Sequence, residues 1–103
     1  MSTLHTVNKS PFERGSLASA LAHALPGDAI LLIEDGAVAA RASASATAAT
    51  LKAAMPACSI YVLGPDLTAR GIPESAVVEG VSIVDYGGFV DLAASHDKTQ
   101  AWL

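Results

Sequence analysis

The sequence predicts an α/β protein, a small three-layer α/β/α domain with a mainly parallel sheet of four to five strands. Three observations carry this. Short runs of β-forming residues alternate with longer alanine-rich helical segments. The run from Ala29 to Ile33 is almost continuously apolar, as strands buried on both faces are. Strands separated by helical segments imply βαβ units, and right-handed crossovers leave few topologies open.

The elements follow in chain order. Leu4 to Val7 reads as a strand, broken by Asn8, Lys9, Ser10 and Pro11. Ser16 to Leu25 reads as a helix, with Leu17, Ala20, Leu21, Ala24 and Leu25 at one-face spacing. Pro26 and Gly27 stop it. Ala29 to Ile33 is the second strand, closed by Glu34, Asp35 and Gly36. Residues 37 to 54 are mostly alanine and read as a helix at Val38 to Ala42, a serine-rich loop and a helix at Thr47 to Ala54, since alanine is the best helix former. Ser59 to Leu63 is the third strand, and Asp66 to Arg70 one helical turn closed by Gly71. Ile72 to Gly80 reads as an extended connection to a fourth strand at Val81 to Val84. A helix from Phe89 to Ser95 follows Gly87 and Gly88, and the tail from Gln100 to Leu103 suits a short edge strand.

At 103 residues and 10.4 kDa, the length predicts one domain over residues 1–103. A chain of this mass buries roughly 64% of its extended surface, enough for one modest core. Hydrophobic residues make up 51% and charged residues only 16%, too apolar for disorder. A mean hydropathy of +0.43 is high for so small a protein. It predicts apolar surface buried between subunits. Net charge is -4 without a basic run, so direct nucleic-acid binding is not expected, and no stretch approaches 18 apolar residues, so neither is a membrane partner. One cysteine excludes a disulfide framework and a cysteine-based zinc site within the chain. The opening MSTLHTVNKSPFERGS lacks an apolar core of signal-peptide length, which predicts a cytoplasmic protein.

Sites in open parallel sheets lie beyond the carboxyl ends of the strands. Here those positions hold Asn8, Lys9 and Ser10; Glu34, Asp35 and Gly36; Gly64, Pro65 and Asp66; and Tyr86, Gly87 and Gly88. Most are turn formers, and turn geometry alone accounts for such residues. Adjacent Glu34 and Asp35 point to opposite faces of an extended chain, so sharing a proton is disfavoured, and a solvated turn or an N-cap role for Asp35 is expected instead. His5 lies in a strand, His23 and His96 near helix ends, without metal spacing; no metal or cofactor is expected. A helix C-terminus favours a histidine cation, which accounts for the last two. Neither a GxGxxG nor a phosphate loop is present. Cys58 is the one obvious nucleophile, but it precedes a strand and so sits at the amino end of the sheet. Only Lys52 is near it in sequence, whereas a reactive thiol needs an electropositive setting.

Four segments together resemble the DsrH/TusB family of sulfur-relay proteins. These are LHTVNKSPFER at 4–14, ILLIEDG at 30–36, YVLGPDLTARG at 61–71 and VDYGGFVDL at 84–92 with the closing QAWL. The likeness runs almost end to end, is weakest at 37–58, and looks closer to the DsrH branch of dissimilatory sulfur oxidation than to the TusB branch of tRNA 2-thiouridine synthesis. It implies the DsrE/F/H-like fold. It also implies a hexamer holding two copies each of this chain and of DsrE/TusD-like and DsrF/TusC-like subunits. Such a complex passes persulfide sulfur to a DsrC/TusE-type acceptor, and its principal sulfur-carrying cysteine belongs to the DsrE/TusD subunit.

DsrH-type members often carry a cysteine in the first helix, within a segment resembling SLxSCL. Here the segment is Ser16-Leu17-Ala18-Ser19-Ala20-Leu21, so Ala20 occupies that position. Either this homologue has lost the residue or the position carries a substitution. The reading is therefore a noncatalytic subunit of a sulfurtransferase complex, serving assembly and docking, with no catalytic residue of its own. The rival is an active persulfide carrier through Cys58, and a third reading is a stand-alone small-ligand binder.

Overall fold

The computed structural model describes residues 2–42 and 45–103. Five strands form one sheet: β1 (Thr3–Val7), β2 (Ala29–Leu32), β3 (Ser59–Leu63), β4 (Ser82–Val84) and β5 (Lys98–Trp102). Their order across the sheet is β4-β3-β2-β1-β5, and every pairing is parallel. The helices are α1 (Ser16–His23), α2 (Ser45–Ala54), α3 (Gly64–Ala69) and α4 (Tyr86–Ser95).

Alternation along the strands divides the core in two. Val7, Ile30, Leu32, Ile60 and Val62 face Leu17 and Ala20 of α1, Leu51 of α2 and Leu67 of α3. On the opposite face Leu4, Ala29 and Leu31 meet Tyr61, Val84, and Phe89 and Leu92 of α4. Three helices thus cover one face and one covers the other, which makes the predicted three layers. All five residues of β1 and all four of β2 are buried, as the apolar run required. The last strand does not continue the series past β4. Instead α4 carries the chain back over the sheet, and β5 pairs with β1 from Thr3↔Lys98 to Val7↔Trp102. The predicted edge strand is real, and two residues longer at its start.

Several boundaries differ from the sequence reading. In place of a helix at Val38 to Ala42, a 3-10 helix runs Glu34–Ala40. Backbone bonds then tie its end to the segment after α3: Val78 N–H donates to Ala40 O at 2.8 Å and Ala42 N–H to Ala76 O at 2.7 Å. That tertiary pairing takes Arg41 and Ala42 out of helix. The serine-rich loop falls at 43–46; residues 43 and 44 lie outside the described residues, and α2 already begins at Ser45. The turn placed at Asp66 to Arg70 starts earlier, at Gly64, with Pro65 in its first turn, where a missing N–H costs nothing. A short 3-10 turn at Glu74–Ala76 interrupts the predicted extended connection. Helix α4 begins at Tyr86 rather than Phe89, because the Asp85 carboxylate accepts the Gly88 N–H at 2.8 Å and caps it.

Candidate functional site

The carboxyl rim of the sheet brings some of the predicted residues together. Glu34 N–H donates to Asp66 Oδ2 at 2.7 Å. Arg70 donates to Asp35 Oδ1 from Nη2 at 2.8 Å and from Nε at 3.2 Å. Asp35 is therefore an ion-pair partner inside the 3-10 helix and not its N-cap; Ile33 holds the N-cap position, with no side-chain cap. Glu34 holds a left-handed φ of 50°, unusual for a residue with a side chain. Gly64, Pro65, Asp85 and Gly88 line an open cleft of about 420 Å³ with Ile83 and Val84. Ser10 is buried and accepts the Phe12 N–H, while Asn8 Oδ1 is buried with no hydrogen-bond partner among the described residues.

A second constellation lies near the amino end of the sheet. Asp28, in the turn before β2, is buried and accepts three bonds: Thr3 N–H at 2.9 Å, Leu25 N–H at 3.0 Å and His5 Nε2 at 2.9 Å. The turn closes through Gly27, whose φ of 92° suits glycine. Burial raises the Asp28 pKa, but the donors from Leu25, His5 and Thr3 outweigh it and hold the carboxyl down at about 2. His5 is buried too, and its Nδ1 faces the Trp102 Nε1 at 3.0 Å. The indole N–H can only donate, so His5 Nδ1 accepts and the imidazole carries its proton on Nε2, toward Asp28. The ring of His23, at the end of α1, lies 5.1 Å from the indole. These side chains line a cleft of about 300 Å³ with Lys98 and Gln100.

Sequence reasoning did not foresee this grouping, although it placed His5 in a strand. A signal existed. A histidine inside a strand of otherwise buried residues needs polar partners, and the aspartate of the Pro26-Gly27-Asp28 turn was available. The other two histidines lie at helix ends, where His23 Nδ1 bonds Ser19 O at 2.8 Å and His96 Nδ1 bonds Leu92 O at 2.7 Å. Among the described residues no group of His, Cys, Asp and Glu is placed to hold a metal ion, and no helix is long and apolar enough to cross a membrane.

The tail is tied down by Trp102 and by Ser16 Oγ, which donates to Leu103 O at 3.0 Å. Trp102→Ala is expected to cost about 2 kcal/mol, below the range for a fully buried aromatic because the indole is half-buried. Thermal unfolding should therefore start on the order of 10 °C lower. An unchanged melting temperature would show the tail to be dispensable.

Two positions bear on sulfur chemistry. Ala20 is fully buried in the core between α1 and the sheet. Cys58 is 7% exposed, and its Sγ lies 3.7 Å from Leu25 O. Burial, and then the negative charge of Asp28, pushes its thiol above the ordinary range.

Residues 9–99 match the family described as DsrH like protein. Curated relatives agree. "Protein TusB" of Pectobacterium parmentieri is 36% identical over 99 residues, covering 96% of this chain and 99% of the relative. "Protein TusB" of Erwinia tasmaniensis shows the same identity and coverage. The chain belongs to the DsrH/TusB family of sulfur-relay proteins. As a family member it shares its fold with more distant proteins of known structure. The ychN protein from E. coli superposes with a TM-score of 0.79 at 17% identity, over 99% of this chain and 100% of that one. A protein of unknown function from Methanobacterium thermoautotrophicum gives 0.75 at 13% identity, over 97% of each chain. Those two likenesses speak for the fold alone.

Proposed function

We propose that this chain is the DsrH/TusB-type subunit of a cytoplasmic sulfurtransferase complex and that it holds no sulfur itself. Family membership carries the relay role. The Tus name of the curated relatives favours delivery to tRNA 2-thiouridine over sulfur oxidation. The partners are the DsrE/TusD-like and DsrF/TusC-like subunits, two copies of each with two of this chain, and a DsrC/TusE-type acceptor.

The noncatalytic reading rests on the state of the thiol. A persulfide carrier needs a thiolate, which forms where a cation or helix N-terminus lowers the thiol pKa. Cys58 has the reverse environment: it is buried, beside the Asp28 carboxylate, with a raised pKa. Position 20 has no thiol, and an alanine cannot hold a persulfide. Phe12, Leu25, Tyr86, Val90 and Leu103 are each more than 60% exposed and offer apolar side chains to partner subunits.

The test is intact-mass spectrometry of the co-expressed complex after exposure to a cysteine desulfurase and cysteine, without reductant. This chain is expected to keep its mass while the DsrE-type chain gains one sulfur atom. The three chains are expected to elute together as a hexamer. A sulfur adduct on this chain that disappears in Cys58→Ser would establish the rival carrier. A monodisperse monomer that ignores both paralogues would remove the assembly role.

A further inference from the structure

We propose that His5, Asp28 and Trp102 form a proton-sensitive latch, which holds β5 on the sheet while His5 is neutral and releases the Trp102 indole when His5 takes a second proton. The geometry leaves the ring one arrangement. Nδ1 accepts from the indole N–H at 3.0 Å, and Nε2 donates to Asp28 Oδ2 at 2.9 Å. The first contact therefore depends on a bare Nδ1. A second proton has only that nitrogen to occupy, and there it meets another donor. Turning the ring over does not help, because both nitrogens of the imidazolium are donors. With His5 only 4% exposed, little solvent reaches the ring to separate the two N–H groups, so the indole is the group that must move.

The surroundings decide which bond fails. Asp28, from the turn entering β2, faces Nε2 and is held in place by the Thr3 and Leu25 N–H groups. It stays ionised down to about pH 2, so it keeps its bond to His5 through any histidine titration. Lys98 of β5 lines the same cleft and opposes a second positive charge. The Cys58 thiol at the entry to β3 lies within the field of Asp28 and, with its raised pKa, stays neutral. His23 of α1 faces the other side of the indole at 5.1 Å. Once protonated it offers the freed indole a cation–π contact, so acid moves Trp102 from a hydrogen bond on β1 toward the end of α1. Among the described residues, strand β5 lies at the edge of the sheet and pairs with β1 alone. Loosening it uncovers the edge of a strand that is otherwise buried throughout.

The chain has one tryptophan, so its fluorescence and its single indole N–H resonance report on the latch directly. On the full chain, titrated from pH 8 to pH 5, where histidines change charge, the emission maximum should shift to the red. The indole resonance should move to the position of an unbonded N–H in the same step. The step should vanish in His5→Gln and persist in His23→Asn. Imidazole nitrogen NMR on the unaltered chain decides the matter even if His5→Gln fails to fold. At pH 8 it should show Nδ1 bare and Nε2 protonated, and protonation of Nδ1 should track the indole shift. The latch is overturned by a protonated Nδ1 at pH 8 or an indole resonance unmoved by the titration. It is equally overturned by a step that survives in His5→Gln or is lost in His23→Asn.

Discussion

Asp28→Ala is expected to be the most damaging single change away from the hydrophobic core, lowering stability by about 3–5 kcal/mol, since three buried or partly buried donors lose a charged acceptor at roughly 1–3 kcal/mol each. The carboxylate gathers donors from three places: the first residue of β1, the turn after α1 and the His5 ring. Its removal leaves all three buried or partly buried without an acceptor, and each loses a hydrogen bond that water cannot fully replace. Asp28→Asn keeps the shape but offers an amide where donors already point, so it should fall between the parent and Asp28→Ala. The same carboxylate sets an acid limit. Its folded pKa is depressed from 3.8 to about 2. The stability it contributes is thus fully present above about pH 4 and is lost as the pH falls toward 2. Denaturant unfolding at pH 7 and pH 3 tests both statements. If Asp28→Ala loses as much stability between those pH values as the parent does, the acid sensitivity resides elsewhere.

Gly36→Ala is expected to cost about 3 kcal/mol, at the upper end of what overpacking does, and to lower the melting temperature on the order of 15 °C. A Cβ at this position would run into the carbonyl oxygen of Val7 and lie 2.9 Å from its carbon. That oxygen already accepts the Ile33 N–H at 3.0 Å, so the methyl would have to push the 3-10 helix away from the end of β1. Neither side is a flexible side chain. Strain would then spread to the rim, where the left-handed Glu34 and the Asp35–Arg70 pair depend on the same turn. A variant within about 0.5 kcal/mol of the parent, the span of an ordinary surface change, would mean that the turn gives way more easily than the packing indicates.

The elements that local chemistry controls were legible. The run AILLI announces a strand buried on both faces, and β2 is such a strand. Pro26 and Gly27 stop α1, although the helix ends at His23, before Ala24 and Leu25. The alanine-rich stretch was read less well, because alanine favours helix without saying which helix. There the pairing of residues 40–42 with 76–78 decided, and those segments are far apart in sequence. Residues at the carboxyl rim were named correctly as neighbours, but their partners were not. Asp35 pairs with Arg70, 35 positions away.

The class of fold follows from pattern and period along the chain, the absence of a thiol at Ala20 is read directly, and the family is legible through the resemblance of its four segments. Only the tertiary structure decided that β5 returns beside β1, that Asp28, His5 and Trp102 meet, and that Cys58 is shut away beside a carboxylate. The physical reason is range. Propensity and turn chemistry act over a few residues and leave their mark in the local sequence. His5 and Trp102 stand 97 positions apart, and their contact exists because a parallel sheet brings the second residue beside the first and because a buried imidazole cannot leave a nitrogen without a partner.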